Sequence, residues 1–412
     1  MDVYADANTT TAAPPEVLAA ARRGENQGHP LRGSRAVEEF ASGAMRRLQL
    51  EVESAVGAPK GEYLVLHTSC ADEANEVVVR ACVAAWHRRS RCPAHVVVGA
   101  AEPPSVVYVV EQLCLMGVCR RSVAAADPAT GVPTAATVGA AICGSTCLVC
   151  VSAAAPTGAV ADLAAVSRVC WAGANAARRR VPLHSDMSTF YPRTPPLAAG
   201  AGPDSFAVSL HHMHAPPGLG LLVVRRALVD GYGLQSAAAG RMPNLPAVLA
   251  AVAAHRFTFA DRVAKNRRLL QLVAGVERVL VESGARSQGG ERPVDVWYRR
   301  DRPEPPEAPS EAAAYAPELR EIVIYGPDLA QRLPNTLAVS LAGPSGKTGD
   351  DVKSALEGRG VRVGAPLPCA RQLRACGVRP ALQLLVVSLP DGATQDDAAK
   401  VAVAIMECAV GM

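Results

Sequence analysis

The chain holds 412 residues, 49% of them hydrophobic and only 4% aromatic, enough for one large domain and a smaller one with cores of Val, Leu and Ala. Its net charge of +4 is small for this length, and its short basic clusters, Arg178-Arg179-Arg180 and His87-Arg88-Arg89, lack the aromatic interleaving of a nucleic-acid platform, which argues against nucleic-acid binding. Apolar runs fall short of the ~20 residues a bilayer span needs, and the opening MDVYADANTT carries neither a basic nor an apolar leader, so no membrane partner is expected and the cytoplasm is the expected location.

In chain order, Pro15 to Val56 has helical spacing around a Gly28-His29-Pro30 break, and Tyr63 to His67 reads as a short buried strand. A helix is predicted over Ala71 to His87. Beyond it, β-rich runs (His95 to Val98, Cys147 to Ser152, Ala207 to Leu210, Leu221 to Val224) alternate with helical stretches (Ser105 to Met116, Ala159 to Ala172). Buried strands alternating with helices predict a mostly parallel sheet covered on both faces, an α/β large domain over residues 1–260. From Pro243 to about Ser283 the pattern is one long helical region leading into a small α+β domain, residues 261–412. Within it, about 284–317 is rich in Pro, Glu, Arg and Ser and reads as an exposed, poorly ordered insertion. Strands are predicted at Ile322 to Tyr325, Thr336 to Leu341 and Gln383 to Ser388, and helices at Asp350 to Glu357 and Gln395 to Val410.

Twelve cysteines lie mostly in apolar stretches of a long chain without a secretory signal, so reduced thiols are expected. Cys143, Cys147 and Cys150 have zinc-like spacing, but a strand turns alternate side chains to opposite faces, so these read as buried thiols and no metal is expected.

Several short motifs occur in a fixed order. They are Tyr4-Ala5-Asp6-Ala7-Asn8-Thr9-Thr10-Thr11 followed by Pro15-Glu16-Val17, then Gly28-His29-Pro30, then Thr68-Ser69-Cys70-Ala71-Asp72-Glu73-Ala74-Asn75, and finally Arg332-Leu333-Pro334-Asn335-Thr336. Together they resemble the class V aminotransferase family, and within it the NifS-like cysteine desulfurases, nearly end to end. The resemblance implies a fold-type-I pyridoxal-phosphate-dependent transferase, with a mostly parallel large-domain sheet and a small α+β C-terminal domain. It also implies pyridoxal phosphate as cofactor and a homodimer, because the family's sites are completed across a subunit interface.

Where the family reads Ser-x-His-Lys-x-x-Gly-Pro, this chain reads Ser209-Leu210-His211-His212-Met213-His214-Ala215-Pro216, which puts His212 at the lysine that holds the cofactor. Imidazole cannot form that stable imine, although it can move a proton. The alignment also sets Asp72 at the family's phosphate-binding threonine, Pro103 at its ring-stacking histidine, Ala155 at a cofactor-contacting asparagine and Thr189 at a glutamine. Gly240-Arg241-Met242 stands where the family's Ser-Gly-Thr reaches the partner's phosphate, and Val386 where an arginine grips the substrate carboxylate. The resemblance sets Asp186 at the position that pairs with the pyridine nitrogen, and Asp186, Ser209 and His211 are retained; in the phosphate loop Ala71 stands beside the changed Asp72. Cys369 aligns with the cysteine that attacks substrate sulfur, on a loop that Pro366 and Pro368 would stiffen.

These losses point to a catalytically defective NifS-like protein kept as a binding or regulatory module. Three alternatives stay open: pyridoxal phosphate held non-covalently through Asp186, sulfur relayed through Cys369, or a metal on His211, His212 and His214 with Asp186.

Overall fold

A computed structural model describes residues 2–25, 27, 29–30, 32–172, 180–193, 202–232, 234, 243–287, 322–341, 349–364 and 384–411. Cys369 with its neighbouring prolines, Gly28, the 240–242 segment and all but the first four residues of the expected insertion lie outside the described residues.

The chain opens with β1 (Val3–Ala5), α1 (Pro15–Arg22) and α2 (Arg35–Ala55). Pro15 starts α1, where its missing N–H would have had no helical partner in any case. The main sheet and its helices follow as β2 (Tyr63–Thr68), α3 (Ala71–His87), β3 (Ala94–Gly99), α4 (Pro104–Leu115), β4 (Cys119–Ala124) and α5 (Ala135–Ala141). They continue as β5 (Thr146–Cys150), α6 (Leu163–Ala172), β6 (Leu183–Asp186), β7 (Ser205–Ser209), β8 (Gly220–Arg225) and α7 (Arg226–Tyr232). The strand order is β2-β8-β7-β6-β5-β3-β4, with β8 antiparallel to both its neighbours and the other six strands parallel to one another.

β3, β5 and β7 are buried at every residue, which is why they read as continuous apolar runs. Alternate side chains serve two cores. Val97, Val149, Phe206 and Val223 face α1, α2 and α6, whereas Val96, Leu148, Ala207 and Leu222 face α3 and α4. Strand β4 escaped the sequence reading because it is an edge strand whose Cys-Arg-Arg-Ser start is half polar. Helix α6 begins at Leu163 rather than Ala159, because Ala159 and Val160 are spent on bridges to Arg332 and Ala154.

The long helical region is two helices, α8 (Leu245–Phe259) and α9 (Arg262–Glu282), broken at Asp261, whose φ of 53° is left-handed. No glycine or proline marks that break. The cause is tertiary: Val248 and Ala251 of α8 pack in the main-sheet core, whereas Leu269, Val273, Val276 and Leu280 of α9 pack in the core of the second sheet.

That second sheet runs β13-β11-β10-β9, from β9 (Arg286–Ser287), β10 (Ile322–Tyr325), β11 (Thr336–Leu341) and β13 (Leu384–Ser388). Helix α10 (Gly349–Glu357) and strand β12 (Val361–Val363) lie between β11 and β13 in sequence, and α11 (Gln395–Gly411) ends the chain. β1 pairs in parallel with β12, and Val3 and Ala5 join the core of this second unit. The N-terminal motif thereby spans both units: Asn8 bonds to Ser388 and Thr336, while Thr11 accepts from the His214 amide and donates to the His211 carbonyl.

Candidate functional site

In a parallel sheet the carboxyl ends of the strands open into a crevice where side chains from separate elements converge. Here that edge carries Thr68 to Ala71 after β2, Glu102 after β3, Ser152 after β5, Asp186 ending β6, and Ser209 to His212 ending β7. The turn from β2 into α3 comes so close to β8 that a Cβ on Gly220 would collide with the Cys70 backbone. Glycine at this strand start is therefore what lets the Thr68-to-Asp72 loop reach the crevice.

The floor of the crevice is a closed hydrogen-bond network. Asn75, fully buried on α3, donates from Nδ2 to Asp186 Oδ2 (2.8 Å) and to Ser105 Oγ (3.0 Å). Its Oδ1 accepts from His184 Nε2 (2.9 Å), and His184 Nδ1 meets Ser205 Oγ (2.9 Å). Burial pushes His184 down to about 3, so a neutral imidazole with its proton on Nε2 serves both neighbours. Burial also raises Asp186, and the Asn75 amide and the Ser188 amide (2.9 Å) oppose that rise. Beside it, the fully buried Glu102 accepts from Ser152 N (2.5 Å) and Ser152 Oγ (3.0 Å). Burial pushes Glu102 up to about 8 despite those bonds, with the Asp186 charge adding to the rise.

The rim is built differently. Ser209 Oγ accepts from the Ala71 amide at the start of α3 (2.7 Å), and Glu73 reaches back to the Ser69 amide (2.7 Å), so this helix N-terminus is capped from within the protein. Asp72 is exposed in the first turn, and its charge acts on both Asp186 and His211. The His211 and His212 rings lie 4.3 Å apart. Burial, with the neighbouring His211, pushes His212 down to about 3. His212 Nδ1 is shielded from solvent and meets no hydrogen-bonding atom among the described residues.

The sequence-derived candidates thus divide. Ala71, Asp72, Asp186, Ser209, His211 and His212 converge on one edge of the sheet, and Cys369 lies outside the described residues. His214 is engaged elsewhere, with Nδ1 on the Ala12 carbonyl (2.9 Å) and Nε2 on Asp391 (3.2 Å), and no cluster of three His, Cys, Asp or Glu suited to a metal occurs among the described residues. Cys147 and Cys150 are buried in β5, whereas Cys143 is exposed ahead of it. Val386 is a buried β13 residue whose backbone exchanges hydrogen bonds with Gly364. Among the described residues no lysine stands on the crevice edge: Lys60 precedes β2, and Lys265, Lys353 and Lys400 ride on α9, α10 and α11; Lys347 lies outside the described residues. Sequence reasoning missed Asn75, His184 and the Glu102–Ser152 couple. Asn75 left a signal, since it sits one helical turn from Ala71 and Val79 on the buried face of α3.

Comparison with known proteins bears on the same architecture. The family model for aminotransferase class-V matches residues 3–239. A NifS-like protein of African swine fever virus, from a warthog isolate, is 30% identical over 210 residues, 48% of this chain and 49% of the relative. The chain thus spans about half the length of the curated relatives it matches. Among solved structures, a NifS-like protein superposes with a TM-score of 0.77 at 20% identity, covering 99% of both chains. The cysteine desulfurase of Thermococcus onnurineus superposes with a TM-score of 0.75 at 15% identity, covering 100% of this chain and 95% of that one. At such identities these superpositions speak for the fold alone. With the family model spanning more than half of its residues, the chain belongs to the aminotransferase class-V family, and over about half of its length it is similar to NifS-like proteins.

Proposed function

We propose that this protein is a catalytically defective NifS-like protein, kept as a homodimeric cytoplasmic binding or regulatory module. The observation that carries the proposal is His212, standing on the turn after β7 where the family places its cofactor lysine. A neutral imidazole offers no primary amine to an aldehyde, so covalent attachment of pyridoxal phosphate has no amine to use at this position.

Pyridoxal phosphate, the cofactor that the family implies, also fits the other residues poorly. Its pyridine nitrogen would find Asp186, but a phosphate dianion at the start of α3 would meet the Asp72 carboxylate. The Ala71 amide there is already satisfied by Ser209, and Pro103 offers no aromatic ring to stack on the pyridine. Sulfur relay through Cys369 would need a persulfide made by another protein, since the crevice lacks the amine-based chemistry that releases sulfur.

The test is the absorption spectrum of the purified protein after mixing with pyridoxal phosphate and dialysis, beside His212→Lys. The wild type is expected to retain no cofactor band, whereas the lysine variant supplies the missing amine and retains more. A wild-type band that survives dialysis would overturn the proposal in favour of non-covalent binding through Asp186.

A further inference from the structure

We infer that Cys114 and Cys119 form an oxidisable dithiol, a modification site that hydroperoxides convert to a disulfide. It lies at the amino edge of the main sheet, away from the crevice. Cys114 sits in the last turn of α4 and Cys119 opens the edge strand β4. Their sulfurs are 3.3 Å apart. Closing to the ~2.05 Å of a disulfide requires an approach of roughly 1.3 Å.

The surroundings permit that approach. Cys119 is fixed by the pairing of β4 with Ala94 and by a contact to the Val110 carbonyl (3.7 Å). The turn between the cysteines passes through Gly117, at a φ of 71° with open space around it, so the Cys114 side can yield. Cys114 is partly exposed, and its neighbours Leu115 (88% exposed) and Met116 (69%) face solvent, so a small oxidant reaches it directly.

The two thiols have distinct roles. Burial pushes Cys119 up to about 12, and its bond to Cys114 adds to that rise, so Cys114 is the attacking sulfur and Cys119 the resolving one. With hydrogen peroxide, the Cys114 thiolate attacks one oxygen, the O–O bond breaks, and the departing hydroxide leaves as water with the thiol's proton. The Cys119 sulfur then attacks the resulting sulfenic acid, the S–O bond breaks as the S–S bond forms, and the Cys119 proton departs in a second water. Two thiols are oxidised by two electrons in total, and one peroxide is reduced to two waters. The bond would tie the last turn of α4 to β4, and the first turn of that helix carries Ser105, an acceptor for Asn75 in the crevice floor.

The test is peptide-level mass spectrometry of the full chain after native treatment with hydrogen peroxide and alkylation of the remaining thiols. The expected result is a Cys114–Cys119 link, seen as the loss of two hydrogens and reversed by dithiothreitol. In Cys119→Ser the link disappears and Cys114 carries oxygen instead, whereas in Cys114→Ser the buried Cys119 stays reduced. Wild-type Cys114 and Cys119 that both alkylate fully, at a peroxide dose that oxidises the exposed Cys92 and Cys143, would overturn the inference.

Discussion

The floor and the rim of the crevice stand a few residues apart and obey different rules. On the floor, Asn75, His184, Asp186, Ser105 and Ser205 satisfy one another, and Glu102 is bonded twice to Ser152. On the rim, Asp72 projects a negative charge toward Asp186, and His212 keeps a shielded nitrogen without a partner among the described residues. The difference follows from what each layer does for folding. Floor residues join α3, α4, β5, β6 and β7 in a dry interior where an unpaired polar group costs about 1–3 kcal/mol, so folding alone maintains them. On the rim the Ser209–Ala71 and Glu73–Ser69 bonds hold the backbone, whereas the exposed Asp72 side chain lies outside the floor network.

The sharpest way to break the comparison is to cut the floor at its centre. Asn75→Ala would leave the fully buried His184 without its Nε2 partner and take one bond each from the partly buried Asp186 and Ser105. Three such losses sum to a destabilisation of about 5 kcal/mol. Denaturant midpoints check this, and a loss below about 1 kcal/mol would mean that the floor is no tighter than the rim.

Glu102 sharpens the comparison through pH. Its folded-state value, raised from 4.5 to about 8, means that the folded protein keeps a proton that the unfolded chain releases. This contribution is fully present below about pH 4.5 and is lost as pH rises through about 8, so stability falls across that window. Glu102→Gln keeps an acceptor for the Ser152 amide and abolishes the titration. The variant should match the wild type near pH 5 and exceed it by on the order of 4 kcal/mol above pH 8. Parallel melting curves for the two proteins at both pH values decide it; a pH-independent difference would show that Glu102 titrates normally.

How much of this was legible in the sequence divides along the same line. The α3 bounds and the alternation of strands and helices were readable because periodicity reports burial directly, and the order of the motifs was enough to imply the family. The break at Asp261 was not readable, because the residues around it favour a helix locally and only the exchange of one core for another ends it. In the site, Asp186, Ser209, His211 and His212 could be placed by alignment with the motif. Asn75 and His184 could not be given a role, because their function is to meet each other across about a hundred residues of chain. A lone polar residue in an apolar stretch shows only that a partner exists, and the fold supplies its identity.

The smallest expected effect tests the rim. Asp72 lies in the first turn of α3, where a carboxylate interacts favourably with the helix dipole, so Asp72→Thr should cost less than about 1 kcal/mol in stability. Its effect on a ligand should run the other way. Removing one negative charge beside the Ser209–Ala71 contact relieves repulsion of a phosphate by about 1 kcal/mol in a solvated setting, or roughly fivefold in affinity. Because the residue is exposed, that gain should shrink as salt rises and the charge is screened. Titration with pyridoxal phosphate at low and high salt separates the two contributions. Tighter binding at low salt only would mark Asp72 as an electrostatic barrier set on an otherwise serviceable anion site. Equal affinities at both salts would mean that the Ala71 amide, closed off by Ser209, excludes the phosphate by itself, and that the rim is as settled as the floor.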